Sequence, residues 1–360
     1  MSGWPQEWAR DRRAQPVAPG SRMPTEPLGP PVSGPPPTVV RPRRRRRWGR
    51  GLLLVFVLLL VVLMVFFVLV DSRLNRVDAL SDWSGRPAAT PGADWLIVGS
   101  DSREGLSAAE RKRLGTGQAA GRRTDTMMLL HIPRSGAPTL VSLPRDSYVP
   151  IPGHGRNKLN AAYAFGGPKL LAQTVEGVSG IRIDHYMEIG FDGFASLVDA
   201  AGGVSMCIPK PMNDPKAALR LKAGCQVLNS RQALGYVRTR AGGRGDLDRV
   251  VRQQQFMSAL IGRLTAPGVL LNPFHSVPLA LNGADSIAVN RSDHIYHLIR
   301  FPFAMRAVSQ GKGVATTVPV ASTPTLPGVG SVVLWDRTKA LALFNALRQD
   351  QPVSGQVQQR

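Results

Sequence analysis

Residues 52–70 are nineteen consecutive apolar positions with no charge, proline or glycine among them. At ~1.5 Å rise per residue, a helix of that length covers roughly 28 Å, close to the thickness of a bilayer core. A soluble core helix carries a polar stripe, and this run has none. The pattern therefore predicts a transmembrane helix over 51–70. Beyond it the texture becomes that of a globular domain. Residues 95–98 form a buried-strand run closed by Gly99. Residues 126–132 and Thr139–Leu143 are further strand candidates, separated by the turn residues Pro133, Gly136 and Pro138. A helix is expected over 170–178, a strand over His185–Ile189 and a helix over Phe191–Ala200 that stops at Gly202-Gly203. Val204–Ile208 reads as a strand. Further helices are expected over 231–237, 247–264 and 337–347 and within 284–309, with a strand over 331–334. Strands alternating with helices from about residue 93 predict an α/β domain.

Composition adds location. The 360 residues allow one large domain or two small ones plus tails. A hydrophobic content of 43% excludes a fully disordered chain, and two cysteines exclude a disulfide-framework miniprotein. A formal net charge of +21 calls for anionic partners: nucleic acid, anionic lipid or phosphorylated substrates. Part of that charge is a basic tail, since residues 1–50 hold eleven arginines and three acids. Arg41, Arg43 to Arg47 and Arg50 precede the apolar run, whereas Asp71, Arg73, Arg76 and Asp78 behind it balance. The positive-inside rule puts the N-terminus in the cytoplasm and residues 71–360 outside. A cleaved signal peptide would need a small-x-small site after the run, and Val68-Leu-Val-Asp71 supplies none. The arginine run also suits a nucleic-acid arm, but its place against the membrane favours orientation and lipid contact. Residues 1–40, rich in Pro and Gly, read as a disordered tail, 71–92 as a stalk, and 349–360 as a frayed polar end. Cys207 and Cys225 lie on the expected outer side, where a disulfide is favoured over two separate buried thiols. Neither has a second cysteine at metal spacing, which argues against zinc.

The chain lacks a GxxxxGK[ST] loop, a GxSxG elbow and an HExxH pair. Its only close histidine pair, His294 and His297, reads as a helix face. What stands out is arginine with aspartate just past strands. Gly99-Ser-Asp-Ser-Arg103, Arg122-Arg-Thr-Asp-Thr126 and Pro144-Arg-Asp146 are followed by Asn157-Lys-Leu-Asn160, Arg238-Thr-Arg240 and Gly245-Asp-Leu-Asp-Arg249. Each alone reads as a structural salt bridge. Together, at the carboxyl ends of an open α/β sheet, they suit a pyrophosphate site with magnesium. A nucleic-acid groove would not hold several aspartates among its arginines.

These motifs, with Phe191-Asp-Gly-Phe194, Ala201-Gly-Gly203 and Gln253, occur in the same order as in the LytR-CpsA-Psr family, which the chain resembles over about residues 94–264. The arginine-rich, lysine-poor flanks and the cysteine pair resemble its actinobacterial members. The resemblance implies an α/β/α sandwich with a central mixed sheet, preceded by one transmembrane helix. Its apolar pocket would accept a prenyl chain. It further implies transfer of a phosphoglycan from a polyprenyl-pyrophosphate carrier to the muramyl 6-hydroxyl of peptidoglycan. By that resemblance Asp101 and Asp125 bind magnesium, or manganese, beside the pyrophosphate. Arg123, Arg145, Arg238, Arg240 and Gln253 contact its oxygens. Asp246 and Arg249 hold the constellation together, and Lys158 and Asn160 shape the site. Thr124 stands where serine is commoner in the family, a mild departure. Residues beyond about 264 carry no assigned chemistry. The general base stays open among Asp101, Asp125 and Asp246. Two other activities remain: hydrolysis of the lipid pyrophosphate, and a non-enzymatic membrane-anchored regulator.

Overall fold

The structure, a computed structural model, describes residues 34, 45–100, 109, 124–239 and 246–353, with the side chains of 45–48, 246–251 and 254 excepted. The chain divides into two compact units, 1–56 and 57–360. Within the first, the continuous described stretch is the start of helix α1 (Arg45–Ser72). Side chains along that helix from Leu52 to Val65 are exposed, and among the described residues it is the one helix long and apolar enough to cross a membrane.

The second unit is built on a mixed sheet. Its elements in chain order are β1 (Asn75–Val77), β2 (Ala93–Ser100), β3 (Thr124–Ile132), β4 (Thr139–Leu143), the hairpin β5 (Tyr148–Ile151) and β6 (Gly155–Lys158), α2 (Leu159–Ser179) and β7 (His185–Ile189). There follow α3 (Phe191–Ala200), β8 (Val204–Ile208), β9 (Met212–Asp214), β10 (Leu219–Leu221), β11 (Gly224–Leu228), α4 (Ser230–Arg238) and α5 (Asp246–Leu264). Last come α6 (Pro267–Leu270), α7 (Pro273–Ser286), β12 (Ile287–Asn290), α8 (Ile295–Leu298), α9 (Arg300–Ser309), β13 (Val314–Thr317) and α10 (Arg337–Arg348). Among the described residues the main sheet has seven strands in the order β1-β12-β7-β2-β3-β4-β13. β2 pairs parallel with β7 and antiparallel with β3.

Alternation along the strands makes two cores, because successive side chains point to opposite faces. Leu96, Val98, Met127, Leu129, Val141 and Tyr186 cluster with Leu159, Leu171 and Val175 of α2 and with Leu343 and Phe344 of α10. Trp95, Ile97, Met128, Leu130, Leu140 and Val289 cluster on the other face with Ile261, Ala284, Phe301 and Met305. Helices thus cover both faces, as an α/β/α sandwich requires. A third cluster joins the β8–β11 hairpins to α4 and α5 through Leu228, Tyr236, Phe256 and Leu260. The bridge Cys207–Cys225 lies there, between directly paired residues of β8 and β11.

Several expectations change. Residues 71–92 are not a stalk: β1 is the sheet's edge strand, Leu74 and Ala79 are buried, and Arg86 pairs with buried Glu176 at 3.0 Å. The helix expected at 170–178 begins at Leu159 and runs through a kink at Gly166-Gly167. The region 284–309 holds the end of α7, a strand and two helices. The strand expected at 331–334 is replaced by two-residue strands at Gly330–Ser331 and Leu334–Trp335. Residues 349–353 are tied down, Asp350 accepting from His131 at 2.9 Å and Val353 packing on the first core. Residues 1–33, 35–44 and 354–360, expected as tails, lie outside the described residues.

Candidate functional site

The described part of the site forms where β2, β4 and β7 end and β3 begins. β3 departs from β2 through a register shift at Gly99/Ser100, a bulge at the edge of the site. Asp125 is the second residue of β3, with its side chain 45% exposed. Arg145 follows β4, in a turn closed by Ser147 N–H donating to the Pro144 carbonyl at 3.0 Å. Its guanidinium donates to Asp125 Oδ1 at 2.7 Å and to Asp146 Oδ2 at 3.2 Å. Lys158 Nζ lies 3.0 Å from Asp146 Oδ1, so cations and carboxylates alternate along the rim. Burial alone would lower the Arg145 pKa, but Asp125 and Asp146 outweigh it and raise the pKa, so the guanidinium stays charged. The turn is braced twice: Asn160 N–H donates to the Arg145 carbonyl at 3.1 Å, and Val333 N–H to the Asp146 carbonyl at 2.8 Å.

Arg238, in the last turn of α4, lies over the Phe191 ring at 5.0 Å, a cation–π contact that fixes its approach. The next residue, Thr239, is fully buried and donates through Oγ1 to Asp214 Oδ2 at 2.5 Å. From α5, Arg252 donates to the Thr239 carbonyl at 2.8 Å and Gln253 to the Val237 carbonyl at 3.2 Å. Asp214 and α5 thereby hold the segment that presents Arg238.

Between the sheet and these helices lies a cavity of about 400 Å³. Its walls are mainly apolar, with Ile97, Ile189, Phe191, Phe194, Met257 and Met305, while Asp125, Asp214, Lys216, Arg238 and Gln253 add the charged and amide groups. A mainly apolar cavity with a few polar groups is the form of a site for an amphipathic ligand.

Of the residues expected at the site, Asp125, Arg145 and Lys158 share one network, and Asp125, Arg238 and Gln253 line one cavity. Asn160 is present through its backbone. Asp101, Arg123 and Arg240 lie outside the described residues, and Asp246 and Arg249 are placed on α5 without described side chains. Asp146, Asp214 and Lys216 were missed. Asp146 adjoins Arg145 in its motif, and that adjacency was the available signal. Asp214 precedes a proline and reads only as a turn.

A second polar cluster stands at the opposite end of β7. Ligand atoms of His185, Asp293 and His297 lie within 4.8 Å of one another. Asp293 accepts there from His185 Nδ1 at 2.5 Å and Tyr186 N–H at 3.1 Å, while His294 N–H donates to His297 Nδ1 at 3.1 Å. These bonds make it a brace between β7 and the turn that leads into α8.

Residues 75–285 match the model of the LytR_cpsA_psr family. The chain is 54% identical over 279 residues to a probable cell wall biosynthesis protein, LcpB, of Corynebacterium glutamicum, covering 77% of this chain and 66% of that protein. It spans, then, slightly less than two thirds of that relative's length. In structure it resembles a LytR-Csp2A-Psr enzyme from Actinomyces oris, with a TM-score of 0.59 at 22% identity over 76% of this chain and 96% of the other. It also resembles TagT bound to LI-WTA, with a TM-score of 0.54 at 23% identity over 78% and 97% of the two chains. Those structural likenesses agree with the sandwich and its mixed sheet, and the family match spans more than half the chain. By its sequence and its fold, this chain belongs to the LytR-CpsA-Psr family.

Proposed function

We propose that the protein transfers a phosphoglycan from a polyprenyl-pyrophosphate carrier to the 6-hydroxyl of a muramyl sugar in peptidoglycan. The observation that carries this reading is the joining of a 400 Å³ apolar cavity to a rim of Asp125, Arg238 and Gln253, with Arg145 ion-paired to Asp125. A prenyl chain suits the cavity, and a pyrophosphate suits the rim. The LcpB relative's description as a cell wall biosynthesis protein and the TagT complex support it.

In the reaction the muramyl hydroxyl oxygen attacks the phosphorus nearer the glycan. The bond from that phosphorus to the bridging oxygen breaks, prenyl phosphate leaves, and the hydroxyl proton is released to a carboxylate or to water. Such a transfer needs position and charge stabilisation more than covalent catalysis. Arg145, held by two carboxylates, and Arg238, held over Phe191, are aimed before substrate arrives and meet the negative charge that gathers on the leaving group. Asp125 offers the hard oxygen donor that magnesium or manganese takes, and its exposed carboxylate fits such an ion. A bound divalent ion would add further charge neutralisation at the pyrophosphate. Helix α1 anchors the chain in the membrane with its arginine flank inside, and residues 71–360 face the wall.

The test is release of prenyl phosphate from lipid-pyrophosphate-linked glycan, with and without magnesium and with and without peptidoglycan. Transfer predicts release that needs both. Release without peptidoglycan would mean hydrolysis, and no release would leave a regulator.

A further inference from the structure

Because β1 follows α1 so closely, the domain has no spacer between it and the end of the apolar helix. Only Arg73 and Leu74 separate Ser72 from Asn75, and Leu74 is 5% exposed. Two residues reach no more than about 7 Å. The last turn of α1 is itself bonded to the domain. Asp71 accepts from Ile295 N–H at 2.8 Å and from Arg76 at 2.6 Å, while Arg73 pairs with Asp285 at 2.9 Å. The end of α7 and the start of α8 are therefore fixed at the point where α1 ends.

From that point both elements carry apolar side chains into solvent. Along α8 and α9, Tyr296, Ile299 and Phe303 are 59%, 48% and 58% exposed. Ahead of Asp285, Leu271 and Phe274 are 82% and 86% exposed. The two stretches meet again where Arg306 of α9 donates to the Thr265 carbonyl, just before α6, at 2.9 Å. Exposed apolar residues scattered singly need no explanation. These are aromatic or branched, and they stand on elements tied to the helix end. The charge pattern has the same character. Residues 263–309 contain four arginines and two aspartates, and both aspartates are engaged, Asp285 with Arg73 and Asp293 with His185.

Aromatic and aliphatic side chains with arginine are the composition of segments that lie in the membrane interface. We propose that the α6–α9 face of the domain rests in the headgroup layer of the membrane crossed by α1, with Leu271, Phe274, Tyr296, Ile299 and Phe303 seated against the acyl boundary. The proposal rests on reading α1 as a membrane span. It also bears on the cavity, because α9 carries Phe303 in that face and Met305 in the cavity wall. A lipid-linked substrate would then meet the cavity wall without leaving the membrane surface.

The native cysteines are bridged, so single introduced cysteines can be labelled selectively without reductant. Full-length F274C, F303C, L60C and L341C, each carrying an environment-sensitive fluorophore, would be reconstituted into phosphatidylglycerol–phosphatidylethanolamine vesicles containing headgroup-nitroxide or acyl-chain-nitroxide lipids. Leu341 is 47% exposed on α10 and serves as the solvent reference. The expected result is a blue shift at 274 and 303 with loss of most emission to headgroup nitroxide, quenching of L60C by acyl-chain nitroxide, and unchanged emission from L341C. Emission at 274 and 303 as unquenched as at 341, with L60C quenched, would overturn the proposal and leave the membrane span standing. A blue shift without quenching would mean that protein covers the face, and would also overturn it. An unquenched L60C would overturn the span and the proposal together.

Discussion

Arg145 joins two carboxylates that otherwise have no reason to stand together. Replacing it by alanine leaves Asp125 and Asp146 facing each other across the rim, 45% and 25% exposed. Water screens groups that open, so the pair contributes at most about 1 kcal/mol to stability. On the proposed function, turnover should fall much further, by about 10²–10³, because the guanidinium would meet charge that develops in the transition state. Comparison of kcat/KM and Tm for Arg145→Ala separates the roles; an unfolded variant, or one with normal turnover, would contradict the placement. His131 makes a different prediction. Burial alone would lower its pKa, but Asp94 and Asp350, each 2.9 Å from a ring nitrogen, raise it above the ordinary value. A raised folded-state pKa contributes stability that is fully present below the unfolded value of about 6.5 and lost as pH rises through the folded one. The Tm gap between the native chain and His131→Gln should therefore be widest near pH 5 and narrow as the pH rises above about 6.5. A gap independent of pH would exclude this account.

At the scale of elements, α3 lies against the end of α7 so closely that a Cβ at Gly193 would run into the Ser286 carbonyl. Gly193→Ala should cost about 1–3 kcal/mol by overpacking, measured by denaturant unfolding. The β8–β11 hairpin is held by Cys207–Cys225 across a separation of 18 residues, and replacing both cysteines by serine should cost roughly 3 kcal/mol. Elements with one clear period were legible in the sequence: Thr139–Leu143, His185–Ile189, Phe191–Ala200 and Val204–Ile208 have the expected bounds. The rest fail for physical reasons. β1 is three residues long, two of them exposed, and exists only through pairing with β12, more than 200 residues away. α7 contains Pro278 and runs directly into β12 at Ile287, so no turn signal separates helix from strand. α2 crosses Gly166, Gly167 and Pro168, which read as a break. The same division holds at the site. Asp125, Arg145 and Arg238 were visible as charges past regular elements, whereas Asp214 acts through Thr239 and leaves no pattern in the chain.

At the scale of the whole molecule, the part of the chain without motifs supports the part that has them. Val333 and Trp335 hold the turn after Arg145, through the Asp146 carbonyl and the Ser147 hydroxyl, and α10 fills one core. Loss of the segment from 330 onward should therefore abolish turnover as well as folding stability. Protease added to intact protoplasts should remove residues 71–360 and leave the tail; a protected domain would contradict the wall-facing orientation. The central claim is that a phosphodiester forms on the wall polymer. The most direct measurement is mass spectrometry of muropeptides released from peptidoglycan after incubation with the protein, lipid-pyrophosphate-linked glycan and magnesium. The account predicts muropeptides carrying a glycan phosphate on the muramyl 6-oxygen, formed in step with prenyl phosphate and lost in Arg145→Ala and Arg238→Ala. Prenyl phosphate accumulating while every muropeptide remains unmodified would contradict it.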